Sequence, residues 1–299
     1  MSEPRESTAL RRAVLAALLL DRGPLLELEI AEAGVVRPGT TLAVAWGELL
    51  LAAGDPREVG PERVRARRVA RWLRLRVALH DLLDDPLVAD RPAAAAALTA
   101  RVRPRGLPVD HGLHPGPAWP RRTVLGGALD LGMGLRGVDD DGGLDPEGVG
   151  LLPAGVLLAA GVEVSAAADR ADRYLQDMAE LAAGRLRLDP TAALRPLGDA
   201  DVLTLLASAT YRRAVLDGQS MRSAAVPSRT RGWLDLSRLD PAFAISAALL
   251  TDADERGFTR PILVTADEVT LARPGGDAVA QCLADPAPAE RSMPVERIF

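Results

Sequence analysis

Five prolines fall between Arg103 and Arg122: Pro104, Pro108, Pro115, Pro117 and Pro120. Each lacks a backbone N–H and holds φ near one value, so no regular helix crosses this stretch and a strand through it is disfavoured. The segment therefore divides the chain. The expected organisation is a helical region over 1–102, a proline-rich linker or ordered loop over 103–122, an α+β domain over 123–275 and a mobile tail over 276–299 rich in Ala, Pro and Glu.

The first hundred residues carry helix starts and stops in alternation. Ser7 or Thr8 caps a helix to about Arg22, with Gly23 after it. Pro24 opens a short helix to Gly34, and Thr40 or Thr41 opens a third that ends near Gly54. The longest runs from Pro61 to Leu83, and the alanine run from Ala93 to Val102 is a fifth. This half is expected to be a helical bundle.

Beyond the prolines the period changes. Leu125, Leu129, Leu131, Met133 and Leu135 alternate with Gly or polar residues, the two-residue period of a strand, so 123–136 reads as β-structure bent at Gly126 and Gly127. Helices are expected over Pro153–Ala160, from Ser165 to Leu186, from an Asp199 or Asp201 cap to Leu216, and from Asp240 and Pro241 to about Gly257. Met221–Pro227 is a strand, and Pro261–Thr265 with Val269–Ala272 a hairpin. The fold class is α+β and mainly helical, with an amino-terminal helical region followed by a mixed α/β domain carrying a small sheet.

No lysine and no asparagine occur in the 299 residues, so the 36 basic side chains are all arginine. Both absent residues have codons beginning with two adenines, and with abundant Ala, Arg, Gly and Pro this points to a GC-rich genome. The chemical consequence holds whatever the origin. Schiff-base, pyridoxal, P-loop and protein-kinase chemistries all need a lysine nitrogen, and a guanidinium that never loses its proton clamps anions without serving as a base.

The net charge of −5 argues against a surface built for nucleic acid or anionic membrane, and 3% aromatic residues argue against stacking platforms. The lone Cys282 excludes a disulfide framework. The apolar run Ala13–Leu20 after Arg11 and Arg12 is too short and too acidic in its approach for an export signal, so a cytoplasmic protein without a membrane span is expected.

Two loop clusters carry the candidate chemistry. Asp110, His111 and His114 lie together in the proline-rich segment, and with one of Asp139, Asp140 or Asp141 they offer ligands for a divalent metal. Arg212, Arg213, Ser220, Arg222, Ser223, Ser228, Arg229, Thr230 and Arg231 gather around the second strand, where forked guanidiniums beside hydroxyls suit a phosphate or carboxylate. One shared pocket would unite both clusters if the proline-rich loop folded onto the arginine-rich turn.

Other motifs read as structure. Gly142 aligned to a calcium loop puts Gly137 where the first carboxylate belongs, so Asp139–Asp141 is a solvated turn between strands. Gly132, Gly134 and Gly137 have dinucleotide-fingerprint spacing but lie inside the strand with no helix after them, which indicates close packing against another element. Arg63, Arg67, Arg71 and Arg74 share a face of the long helix, read as solvated.

The runs Gly127–Gly137, Gly198–Leu206 and Trp233–Leu271, with the Asp240-Pro241 helix start, resemble uncharacterised proteins of high-GC actinobacteria. The resemblance implies no activity. The functional expectation is thus a binding or regulatory protein that recognises a small anionic ligand or a protein partner through Arg222, Arg229, Arg231 and Ser220, with no cofactor. The alternatives are a hydrolase using a divalent metal at Asp110, His111 and His114, and an interaction module with an exposed apolar patch on its first three helices.

Overall fold

The computed structural model describes residues 3–20, 23–54, 62–83, 91–111, 114, 119–140, 142–188, 193–235, 241–252 and 255–271. The expected tail with Cys282, the Asp240 cap, Asp141, Pro115 and Pro117 lie outside these residues.

Helix α1 (Glu3–Leu20) buries Leu10, Ala13, Val14 and Ala17, the apolar stripe of a 3.6-residue period. The next two helices expected from sequence are not formed as such. A 3-10 turn over Pro24–Glu27 leads into β1 (Glu29–Ile30), β2 (Gly34–Val36) and β3 (Ala43–Ala45), an antiparallel sheet, and α2 (Trp46–Ala53) begins only after it. Leu25 and Leu28 have helical spacing for a single turn. The β-branched Val35, Val36 and Val44 then favour a ladder, and a Cβ on Gly34 would run into the Val44 carbonyl oxygen. The amino-terminal region therefore joins helices to a sheet.

Helices α3 (Glu62–Leu83) and α4 (Arg91–Arg101) follow the sequence expectation. The proline-rich segment does not. Its first six residues, with Val102 before them, form β4 (Val102–Pro108), wholly buried and paired along its length with β6 (Leu129–Val138). The reason is register. Gly106 N donates to Thr204 Oγ1 at 2.9 Å, away from β6, and Pro104 and Pro108 stand in the same alternation, so their missing N–H groups face the outer edge and cost the ladder nothing.

The other edge of β6 is divided between β5 (Arg121–Val124), which pairs with Leu129–Gly132, and β7 (Leu144–Leu151), which pairs with Gly134–Val138. The bend before β6 falls at Gly126 and Gly127, with φ of +64° and +89°. At the junction between β5 and β7 the Trp119 indole N–H donates to Met133 O at 2.8 Å. The ring sits where Gly132 has no side chain, since a Cβ there would lie 2.5 Å from it. Gly132 serves close packing, as its place within the strand implied.

Helices α5 (Ala154–Ala159) and α6 (Val164–Leu188) match their predicted positions. After β8 (Ala193–Leu194), the single helix expected to Leu216 is two, α7 (Val202–Leu206) and α8 (Ala209–Leu216), and its cap is Asp201, whose carboxylate accepts from Thr204 N at 2.8 Å. β9 (Arg222–Ser228), β10 (Arg231–Leu234), α9 (Pro241–Leu250), β11 (Ile262–Val264) and β12 (Val269–Leu271) complete the described chain. Five strands form an antiparallel sheet in the order β12-β11-β9-β10-β8.

Two long helices tie three cores together. The first half of α3 packs with α1, α2 and the small sheet through Val69 and Leu73. Its second half packs with α4, β6 and α5 through Leu75 and Leu79. α6 passes from that middle core, where it buries Ala167 and Ala171, to the core of the five-stranded sheet, where it buries Ala179 and Ala182. The fold is mixed α+β with antiparallel sheets.

Candidate functional site

β4, the β6–β7 turn, the α7 cap and the end of β9 converge on two carboxylates, the buried Asp201 and the half-buried Asp140. Asp201 Oδ2 accepts from Arg229 Nε at 2.9 Å, and Asp140 Oδ2 accepts from Arg229 Nη1 at 3.1 Å. Arg105 Nη2 is hydrogen-bonded to Asp140, and its Nη1 lies 3.7 Å from Asp201 Oδ2. Burial pushes the Asp201 carboxyl upward against the pull of Arg105 and of its hydrogen bonds to Thr204. The cap of α7 is thereby one member of a crossed network of two carboxylates and two guanidiniums.

His111 is buried close to this network. Burial first, then the charges of Arg105 and Arg71, hold its ring at a pKa of about 4, so it is neutral at pH 7. His114 faces a different group: its Nε2 lies 2.7 Å from Asp130 Oδ2. Asp130 also accepts from Arg121 Nε at 2.8 Å and Thr123 Oγ1 at 2.5 Å. Burial opposes its ionisation, yet these hydrogen bonds keep its carboxyl below the ordinary range.

Beside Asp140 a narrow cleft separates α3 from the sheet. Its volume is about 20 Å³, room for about one water molecule as packed, and its walls are mostly apolar: Trp72, Leu75, Trp119, Leu151 and Pro153. Both tryptophans are held by their indole N–H groups, Trp119 on Met133 O and Trp72 on Glu48 Oε1 at 2.8 Å. Arg68 and Arg71 enter from α3, and Asp139 and Asp140 from the hairpin. The hairpin reaches α3 because Gly142 has φ +83° and no side chain, where a Cβ would stand 2.5 Å from Leu75 N.

Two guanidiniums, Arg68 and Arg71, and two carboxylates, Asp139 and Asp140, line the cleft. Asp139 is engaged by Gly143 N at 2.7 Å, and Asp140 is held by two arginines. Arg68, by contrast, makes no hydrogen bond or ion pair with any described residue, and burial followed by the neighbouring Arg71 charge lowers its pKa. One turn earlier Arg65 is buried with Nε and Nη2 lacking hydrogen-bond partners. Concentrated guanidinium charge against a low-dielectric wall favours an anion.

The sequence-predicted residues divide sharply. Arg229 and the proline-rich segment do meet, through Arg105 and the two carboxylates they share, but the rest of the two loop clusters is not brought together there. Arg222 is not part of it: its guanidinium is clamped by Asp235 at 2.7 and 2.5 Å and by Val215 O at 2.8 Å. Arg231 is exposed with its guanidinium 5.7 Å from the Trp233 ring centre, and Ser220 is exposed in the turn before β9. Asp110 is exposed while His111 and His114 serve separate surroundings, and among the described residues no group of three His, Cys, Asp or Glu is placed to hold a metal ion.

Two readings of local pattern are corrected. The segment between β6 and β7 does join two strands, but Asp140 is half-buried and held in ion pairs rather than fully solvated. On α3, Arg71 is buried although it belonged to the face read as solvated, and Arg65 and Arg68 line up with it at three-residue spacing. The signal was the interleaving of Trp72 and Leu75 among these arginines. Two of the chain's four tryptophans flank one cleft despite the low aromatic content.

No protein-family description, curated protein sequence or solved structure matches the chain. Among the described residues, no helix is long and apolar enough to cross a membrane.

Proposed function

We propose that this chain is a binding protein for a small anion, or for the anionic group of a larger ligand, held by Arg68 and Arg71 in the cleft between α3 and the β6–β7 hairpin. The observation that carries this reading is Arg68: a guanidinium drawn toward apolar walls, beside a second arginine, with no carboxylate of its own among the described residues. An anion there relieves the repulsion between the two guanidiniums, and because the cleft as packed has room for about one water molecule, α3 and the hairpin part to admit it. The apolar walls weaken competition from water, so a single charge-assisted contact is stronger than on an open surface.

Thermal unfolding in the presence of phosphate, acetate and sulfate tests this directly. A saturable rise in Tm with at least one of them is expected in the wild type and is lost in Arg68→Gln. No rise with any, or an equal rise in the variant, overturns the reading.

A second reading rests on exposed leucines of the amino-terminal region. Leu19 is 80% exposed, Leu26 69% and Leu51 51%. They support an interaction surface, and a concentration-dependent molecular mass that disappears in Leu19→Glu tests it.

A further inference from the structure

A larger concavity opens where the last turns of α6 meet β8 and α8. Its volume of about 380 Å³ falls within the range of small-molecule pockets. Among the described residues its apolar walls include Leu186, Leu188, Pro196 and Leu197, and Arg185 and Arg195 flank it. Leu188, at the end of α6, is 89% exposed and lines the cleft.

Among the described residues, the guanidiniums and the hydroxyl of this cleft have no hydrogen-bond or ion-pair partner. Arg185 and Arg195 form no ion pair with any described residue, although acidic residues outnumber basic ones, 41 to 36, in the whole chain. Tyr211 is 1% exposed, lines the cleft from α8, and its hydroxyl makes no hydrogen bond to a described residue. A buried phenol ordinarily finds a partner. Burial alone shifts its pKa upward, so the hydroxyl keeps its proton and stands as a donor at any working pH.

We infer that this cleft binds an amphipathic organic anion, its carboxylate bridged by Arg185 and Arg195, its apolar body against Leu186, Leu188 and Leu197, and an oxygen accepting from the Tyr211 hydroxyl. Charge alone does not select the ligand, because the walls between the arginines are apolar. An apolar molecule without charge leaves both guanidiniums unused. The class is therefore a monocarboxylate with a compact hydrocarbon body. This site is separate from the Arg68 cleft, so neither proposal depends on the other.

Isothermal titration of the full chain with octanoate, octanamide and inorganic phosphate decides the matter. Saturable octanoate binding is expected, at least tenfold tighter than either comparison compound. It weakens at least tenfold in Arg185→Gln/Arg195→Gln and about threefold in Tyr211→Phe, and is unchanged in Arg68→Gln. The double variant removes only exposed charges and Tyr211→Phe one buried oxygen, so unchanged circular dichroism and Tm are expected to confirm that they fold. Absence of saturable octanoate binding, equal binding of octanamide or phosphate, or undiminished affinity in the double variant overturns the proposal. So does loss of octanoate binding in Arg68→Gln, which would place the ligand in the other cleft.

Discussion

Arg229 Nε lies 2.9 Å from Asp201 Oδ2 while its Nη1 lies 3.1 Å from Asp140 Oδ2, so one guanidinium from the end of β9 holds the cap of α7 and the β6–β7 turn at once. Its side chain is 4% exposed, and Asp201 accepts from Thr204 N with its other oxygen. The ion pair is thus also a helix cap and a tether between two sheets.

Removing that guanidinium leaves the buried Asp201 and the half-buried Asp140 with Arg105 as the cation shared between them. Arg229→Ala is expected to lower stability by about 3–5 kcal/mol, read as a reduced urea midpoint, because uncompensated buried charge is costlier than the pair itself is favourable. Pairing it with Asp201→Asn is expected to recover part of the loss, and strictly additive losses would show that the network is not coupled.

His111 makes stability depend on pH. Its folded pKa of about 4 lies below the ordinary 6.5, so between these values the unfolded chain binds the proton that the folded chain refuses. Its contribution is fully present above pH 6.5 and is lost as pH falls toward 4, about 3 kcal/mol in total. Urea unfolding of wild type and His111→Gln across this window checks the sign: the variant is expected to lose less stability on acidification.

Gly142 sets how closely the hairpin approaches α3. With φ +83° and only 2.5 Å between the position a Cβ would take and the Leu75 backbone nitrogen, Gly142→Ala has neither the conformation nor the space. A loss of about 1–3 kcal/mol is expected, together with loss of any anion-induced Tm rise, since the cleft loses one wall. A Gly127→Ala control, at φ +89° but with nothing within 4 Å, is expected to lose less.

Arg68 is expected to separate function from stability. Without added anion, Arg68→Gln should unfold at a Tm no lower than the wild type, because it removes a charge repelled by Arg71 and disfavoured by burial. A marked drop in Tm would instead identify Arg68 as a structural residue.

Elements whose cause is local are legible in the chain. The uninterrupted periodicity of α3 and α6, the bend at Gly126 and Gly127, the strand β9 and the hairpin of β11 and β12 all rest on side-chain spacing or turn chemistry within a few residues. Where the deciding partner is remote, the outcome depends on how distant segments pack. Pro104 and Pro108 sit in a strand because their alternation faces away from β6, a fact of register invisible in composition. Arg222 and Arg229 look equivalent in the chain, yet one is clamped by Asp235, 13 residues away, and the other reaches Asp140, 89 residues away. Likewise Arg68 and Arg71 line the cleft that the hairpin forms against α3, while Arg63 and Arg67 on the same helix are exposed. A guanidinium binds whichever anion the fold presents, so its identity as a site residue is set by the packing of distant segments and not by its neighbours in sequence.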